Sequence, residues 1–326
     1  MKKSIVIVLF IALAISCNTS ETVNHNPTDS FYRQKMREFV IGLSQYSKAI
    51  NPNFKIIPQN GIQLVTTDGD NSSPTSEKYL NAIDGISQEG LFYGYENDDF
   101  ATPEAIRTYF KSYLNISKNQ GKTILITDYC VTPTNCTNSY FESDASGYVS
   151  FSANQRFLTS IPTFPNPIHH QNNANITQLS EVKNFMLLFN FENFRTKTDL
   201  INAITATNYD LIVIDLYFRN SVAFTAADIT QIRNKANGGK RLVFSYASIG
   251  EAENYRYYWQ DNWNATPPEW LNTENPNWPG NFTVKYWIPE WQNIIYGNDS
   301  SYLKKIIDCG FDGVYLDLID AFALYE

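Results

Sequence analysis

Short apolar runs alternate along the chain with longer stretches whose apolar residues recur every three or four positions. The runs FKIIPQN (54–60), AIDGISQEGLFYGYE (82–96), KTILITDY (122–129), FMLLFNF (185–191), DLIVIDLYF (210–218), KRLVFSYASIG (240–250), TVKYWI (283–288) and DGVYLDL (312–318) read as strands. Over 31–50, Tyr32, Met36, Phe39, Val40, Leu43 and Ile50 share one helical face, with Asp29 or Ser30 able to cap it. A second helix is predicted over 103–119, with Pro103 in its first turn. Others fall near 196–208, 225–237 and 299–309, the last with Ser301 near its start and Gly310 just past its end. Residues 130–184 are mostly weakly periodic and rich in Pro, Asn, Ser and Thr, and read as a long connection. Strands alternating with helices predict an α/β protein. Eight of them in this length suit a (β/α)8 TIM barrel of about 250 residues. A doubly wound open sheet is the alternative, but no Gly-rich phosphate loop follows any strand.

The first residues carry a different pattern. MKK is a positive start, and SIVIVLFIALAIS is an apolar run too short for a good membrane span. Ala14-Ile15-Ser16-Cys17 resembles a bacterial lipobox, in which Cys17 is lipidated; the alternative is an ordinary secretory signal. Either way the expectation is an exported protein, periplasmic or on the cell surface. Residues 1–17 would then be a signal peptide, 18–30 a polar tether and 31–326 one domain, with the membrane reached through the lipid anchor only. Export permits a disulfide between Cys130 and Cys136, though two free thiols fit equally, while Cys309 reads as structural. No Cys/His spacing suggests zinc, so no metal and no cofactor is expected, and His169 and His170 receive no role.

The net charge of −8 argues against a nucleic-acid partner. Acidic residues recur at strand ends: Glu89 after DGISQ, Glu96 beyond it, Asp128 in ILITD, Asp215 in LIVID, Glu251 and Glu253 after SYASIG, and Asp317 in GVYLD with Asp320 beyond. In a barrel those ends form one face, where catalytic groups sit. Clustered carboxylates raise one another's pKa, so that one serves as acid and another as base or nucleophile, which is what glycoside hydrolysis needs. The 21 Tyr, 21 Phe and 6 Trp either fill an aromatic core or stack on sugar faces. No EF-hand loop supports a metal hydrolase, and no G-x-S-x-G with a strand-end His supports a serine hydrolase.

Three longer segments are more specific. YASIGEAENYRYYW (246–259), NWPGNFTVKYWIPEWQNIIYG (277–297) and GFDGVYLDLIDAF (310–322) together resemble glycoside hydrolase family 114, closest to its relatives once labelled cysteinyl-tRNA-synthetase-like. The signatures of class I synthetases are absent. The resemblance implies a (β/α)8 barrel similar to endo-α-1,4-polygalactosaminidases, acting on galactosamine-containing polysaccharide. It also implies a circular permutation. The family's strands six to eight match IIPQNG (56–61), IDGISQEGLFYG (83–94) and ILITDY (124–129), which here precede strands one to five, with 130–184 joining the halves. Carried over residue by residue, the family's catalytic pair falls on Asp317, as nucleophile, and Glu89, as general acid/base. Asp215, Glu253, Arg256, Asp320, Asn60 and Asp128 match cleft positions, and Tyr246, Trp287 and Tyr93 are candidates for sugar stacking. Arg256 and Glu253 fit a salt bridge equally well, and Trp287 and Trp291 fit packing under the YWIPEW turn. A non-catalytic glycan-binding barrel is the alternative function. The expected partner is a polysaccharide or oligosaccharide.

Overall fold

The computed structural model describes residues 29–219 and 222–326. The expectations for Cys17, the signal segment and most of the tether therefore lie outside the described residues. In chain order the elements are α1 (Asp29–Ile50), β1 (Lys55–Pro58), α2 (Glu77–Ala82), β2 (Gly85–Glu89), α3 (Glu104–Asn119), β3 (Thr123–Tyr129), α4 (Pro133–Ser146) and β4 (Val149–Ala153). After them come β5 (Phe185–Leu188), α5 (Lys197–Thr205), β6 (Leu211–Asp215), α6 (Ala226–Ile232), β7 (Leu242–Ser248), β8 (Glu251–Glu253), β9 (Leu271–Glu274), β10 (Asn281–Val284), α7 (Pro289–Ile295), α8 (Tyr302–Asp308) and β11 (Gly313–Asp317).

Two parallel sheets carry the molecule. One is five-stranded in the order β1-β11-β7-β6-β5, the other three-stranded in the order β2-β3-β4. A bridge from Gln59 to Ser87 links the end of β1 to β2, and the Tyr315 hydroxyl donates to Ser87 Oγ at 2.7 Å across the interior. At the other side Phe151 of β4 meets Phe185 of β5, ring centres 5.8 Å apart. This order is compatible with a TIM-like barrel, although among the described residues no hydrogen-bonded ladder joins β4 to β5. Because the strands are parallel, their C-terminal ends share one rim.

Helix α1 packs against α8, which precedes β11, and against α2, which follows β1. Its Met36, Phe39, Val40 and Leu43 are fully buried, as their spacing predicts. Strand β1 pairs with β11 in the register Lys55–Gly313 to Pro58–Leu316, and Arg33 makes an ion pair with Glu326 at 2.7 Å. The stretches 54–60 and 312–318, distant in sequence, are therefore neighbours.

Two expectations need correction. The 130–184 stretch is not a bare connection, since it holds α4 and β4. Strand β4 (VSFSA) buries Ser150 and Ser152, so it lacks the continuous apolar run of a central parallel strand. Second, the TVKYWI run (283–288) is not one of the parallel strands. Its first residues end β10, which joins β8 and β9 in a small antiparallel sheet, and the rest turns into α7. Counted from β5, the GVYLD strand is thus fourth in the parallel order rather than fifth, and the IIPQ and GISQE strands move up with it. At the opposite end of the strands, Asp210 and Lys235, both inaccessible to solvent, pair at 2.6 Å. Asp210 also accepts from Asn172 Nδ2 and from the Lys183 N–H, which anchors the connection before β5.

Candidate active site at the strand ends

The rim gathers carboxylates because several strands end on one. Glu89 ends β2 and Asp317 ends β11, with β1 between them. The Glu89 carboxylate accepts from Gln59 Nε2, and the Tyr129 phenol also bonds to it. Burial pushes its pKa up to about 7, and the charge of Asp317 adds to the rise, with Tyr129 and Arg156 opposing. Burial raises the pKa of Asp317 too, but two donors favour its ionised form: the Tyr246 hydroxyl to Oδ2 at 2.8 Å and the Leu318 N–H to Oδ1 at 2.8 Å. Asp320 is pushed up to about 7 by burial and then by Asp317. Glu251, buried beyond β7, is also raised by burial and accepts from Asn275 Nδ2 at 2.8 Å.

The Asp317 turn is fixed by close backbone packing. Leu318 lies at φ 59°, a left-handed conformation that non-glycine residues seldom adopt. Gly250 packs directly beneath it, where a Cβ would lie 2.5 Å from the Leu318 carbonyl oxygen. Gly61, at φ 55°, presses on Ile319, where a Cβ would meet Cγ2 at 2.6 Å. Asn60, also left-handed at φ 61°, turns its Oδ1 to the Glu89 N–H (3.3 Å) and to Gln88 Nε2 (3.1 Å). The loops after β1, β7 and β11 thus lock together around the two carboxylates.

Other expected residues have different surroundings. Arg256 is buried and spends its guanidinium on two acids. It forms a bidentate pair with Asp215 at 2.8 and 2.6 Å, and its Nε donates to Glu253. Glu253 accepts in addition from the Tyr255 hydroxyl at 2.6 Å. These contacts are those of a brace between β6 and β8. Asp128 is fully buried, accepts from the Phe92 N–H (3.0 Å) and Ser139 Oγ (2.7 Å), and has its pKa pushed by burial to about 6. It anchors the loop after β2 from behind the rim, so it does not line the cleft as expected. Half-buried Tyr93 lies on that loop, its hydroxyl accepting from Asn138 at 3.4 Å. Trp287 packs against Tyr32 (4.9 Å) and Tyr325 (4.7 Å), and Trp291 is fully buried with Nε1 donating to the Ile249 carbonyl, so packing describes both. Cys130 and Cys136 are both free and buried, with Cys136 Sγ donating to the Cys130 carbonyl at 3.5 Å.

Sequence reasoning missed Gln59, Tyr129 and Arg156. Gln59 was readable only as the residue beside Asn60, and Tyr129 only as the end of ILITDY. Arg156 lies in the stretch read as a connection, yet its guanidinium covers the Tyr129 ring at 4.3 Å and pairs with Asp98 at 2.5 Å. The neighbouring Phe157 is 48% exposed and meets Trp278, 39% exposed, with ring centres 5.6 Å apart. Both rings stay open to solvent while joining the loop after β4 to the β9–β10 hairpin, an arrangement suited to a flat apolar face.

A model of the glycoside-hydrolase family GH114 matches residues 170–325, just under half of the chain. Over that segment the chain is similar to family GH114. The GH114 segment contains β5, β6, β7 and β11 and supplies Asp215, Tyr246, Glu253, Arg256, Asp317 and Asp320, whereas Glu89, Asn60, Tyr93 and Asp128 precede it. Three relatives match at 41% identity. An uncharacterized protein of Methanocaldococcus jannaschii aligns over 155 residues, 47% of this chain and 42% of its own length. An uncharacterized protein of Deinococcus radiodurans aligns over 126 residues (39% and 38%), and one of Thermotoga maritima over 119 (36% and 35%). Each match spans less than half the relative's length.

Proposed function

We propose that this protein is a glycoside hydrolase cleaving an α-linked, galactosamine-type polysaccharide by a two-carboxylate mechanism. The family match supports carbohydrate as the substrate class. The observation that carries the reading is the unequal environment of Asp317 and Glu89. Asp317 holds two donors that favour its anion, while the half-buried Glu89 has its pKa pushed up to about 7 beside that anion. Pairs of acids pushed apart in this way divide into nucleophile and proton donor.

In the proposed reaction Glu89 donates its proton to the glycosidic oxygen as that bond breaks. The Asp317 carboxylate attacks the anomeric carbon and forms a glycosyl ester. Glu89, now ionised, takes a proton from water, whose oxygen displaces Asp317 and restores both groups. Gln59 and Asn60 position Glu89, and the Arg256 brace keeps the β6 and β8 ends in place. An acidic rim suits a cationic amino sugar. We read the strand order as a permuted (β/α)8 barrel, supported by the β1–β11 pairing with α1 packed beside it. Export and lipidation at Cys17 are proposed on the first residues alone.

The test is reducing-end release from galactosamine, glucosamine and neutral polysaccharides, with Asp317→Asn and Glu89→Gln as controls. The proposal expects release from the galactosamine polymer, loss of it in both variants, and a first product that retains its anomeric configuration. Unchanged rates in both variants would overturn the site. Binding without turnover of any glycan would leave a binding module instead.

A further inference from the structure

Away from the rim, three metal-binding side chains converge on one point. Asp144 lies near the end of α4, just before the Gly147 turn into β4, at the opposite end of the strands from the carboxylates. His169 Nε2 is 3.0 Å from Asp144 Oδ2, and His170 Nε2 is 3.0 Å from both carboxylate oxygens. The candidate ligand atoms all lie within 4.8 Å of one another.

This convergence is unusual for adjacent residues, whose side chains diverge in extended backbone. Here His170 sits at φ 53°, and the two rings come together with centres 3.9 Å apart. A left-handed non-glycine residue is strained, and such strain collects at ligand clamps. The rings are also held from outside. His169 stacks on Tyr140 of α4 at 4.4 Å, and the His170 carbonyl accepts from Asn172 and Asn184 side chains at 3.2 and 3.0 Å.

Two imidazole nitrogens and one carboxylate suit zinc and its first-row neighbours, with a remaining position for water, and do not suit calcium or magnesium, which prefer all-oxygen sites. Between β4 and β5 the chain forms only one short helical turn, Leu179–Glu181. We propose that Asp144, His169 and His170 hold one divalent cation of the zinc class, which fastens the 154–184 connection to α4.

The experiment uses tag-free protein dialysed against chelator and then titrated with zinc chloride in a calorimeter. Bound zinc is counted by elemental analysis, and limited proteolysis probes residues 154–184. The expected result is one zinc per chain, a melting temperature a few degrees higher with zinc, and slower cleavage of the connection. Asp144→Asn and His170→Ala, each shown folded by circular dichroism, should bind zinc at least tenfold more weakly and lose both effects. No zinc uptake by folded parent protein at 100 µM-scale metal (about 100 times a micromolar Kd) would overturn the proposal. So would equal uptake in both variants, or preference for calcium over zinc.

Discussion

Replacing Tyr246 by Phe tests how Asp317 is kept ionised. The substitution deletes one hydroxyl, which donates to Asp317 Oδ2 at 2.8 Å, and keeps the ring that packs on Phe189 at 4.5 Å. A hydrogen bond to a charged group contributes about 1.5–3 kcal/mol. At about 1.36 kcal/mol per pKa unit, its loss should raise the Asp317 pKa by about 1–2 units. The reaction needs Asp317 as an anion, so activity falls as pH drops through its pKa. Raising that pKa moves the acid limb of the kcat/KM profile upward by the same amount. The assay is kcat/KM against pH on the galactosamine polymer, with infrared titration of isotope-labelled carboxylates as a readout that needs no substrate. An acid limb within about 0.3 unit of the parent, in both measurements, would show that the phenol does not stabilise the ionised form and would refute the assignment of Asp317 as the anion.

Glu89→Gln should lower kcat by at least about a hundredfold and remove the basic limb near pH 7, read in the same pH series. The same change should stabilise the fold at alkaline pH. Glu89 and Asp320 titrate near 7 in the folded chain, above their unfolded values, so the folded state binds more protons through that interval and loses stability as pH rises across it. Glu89→Gln and Asp320→Asn should each gain roughly 1–2 kcal/mol over the parent at pH 8 in urea melts, and less at pH 5. Arg256→Met leaves Asp215 and Glu253 buried without their cation and should cost about 3–5 kcal/mol by the same melts, as should Lys235→Met beside Asp210.

The readable parts of the chain were those where one periodicity meets one environment. Strands β5, β6 and β11 are mainly apolar runs buried on both sides, and α1 puts its apolar stripe where the 31–50 pattern predicts it. Strand β4 escaped because the buried Ser150 and Ser152 break its apolar run, and α4 because its sequence, PTNCTNSYFESDAS, has Tyr140 and Cys136 but little other apolar content on its buried side. The TVKYWI run misled for the opposite reason: Val284 and Tyr286 are core residues, but they pack from a small antiparallel sheet and a turn. At the site, Asp317 and Glu89 were legible as strand-end acids. Asp128 was not distinguishable from them, because the donors that wrap it come from Phe92 and Ser139 on other elements. The meeting of Asp144 with His169 and His170 depends on a left-handed residue that no hydropathy pattern announces.

The pairing of β1 with β11 also governs how the molecule can be assembled during synthesis. Lys55 emerges from the ribosome well before its partner Gly313, which follows only after all the other parallel strands have been made. Until then the β1 edge offers unpaired backbone groups that could recruit a foreign strand, a hazard of late, non-local pairing. On the proposed mechanism the same delay keeps the nascent chain inert until Asp317 joins Glu89. Under that mechanism, hydrolytic competence and the pairing of β1 with β11 would be reached in a single step.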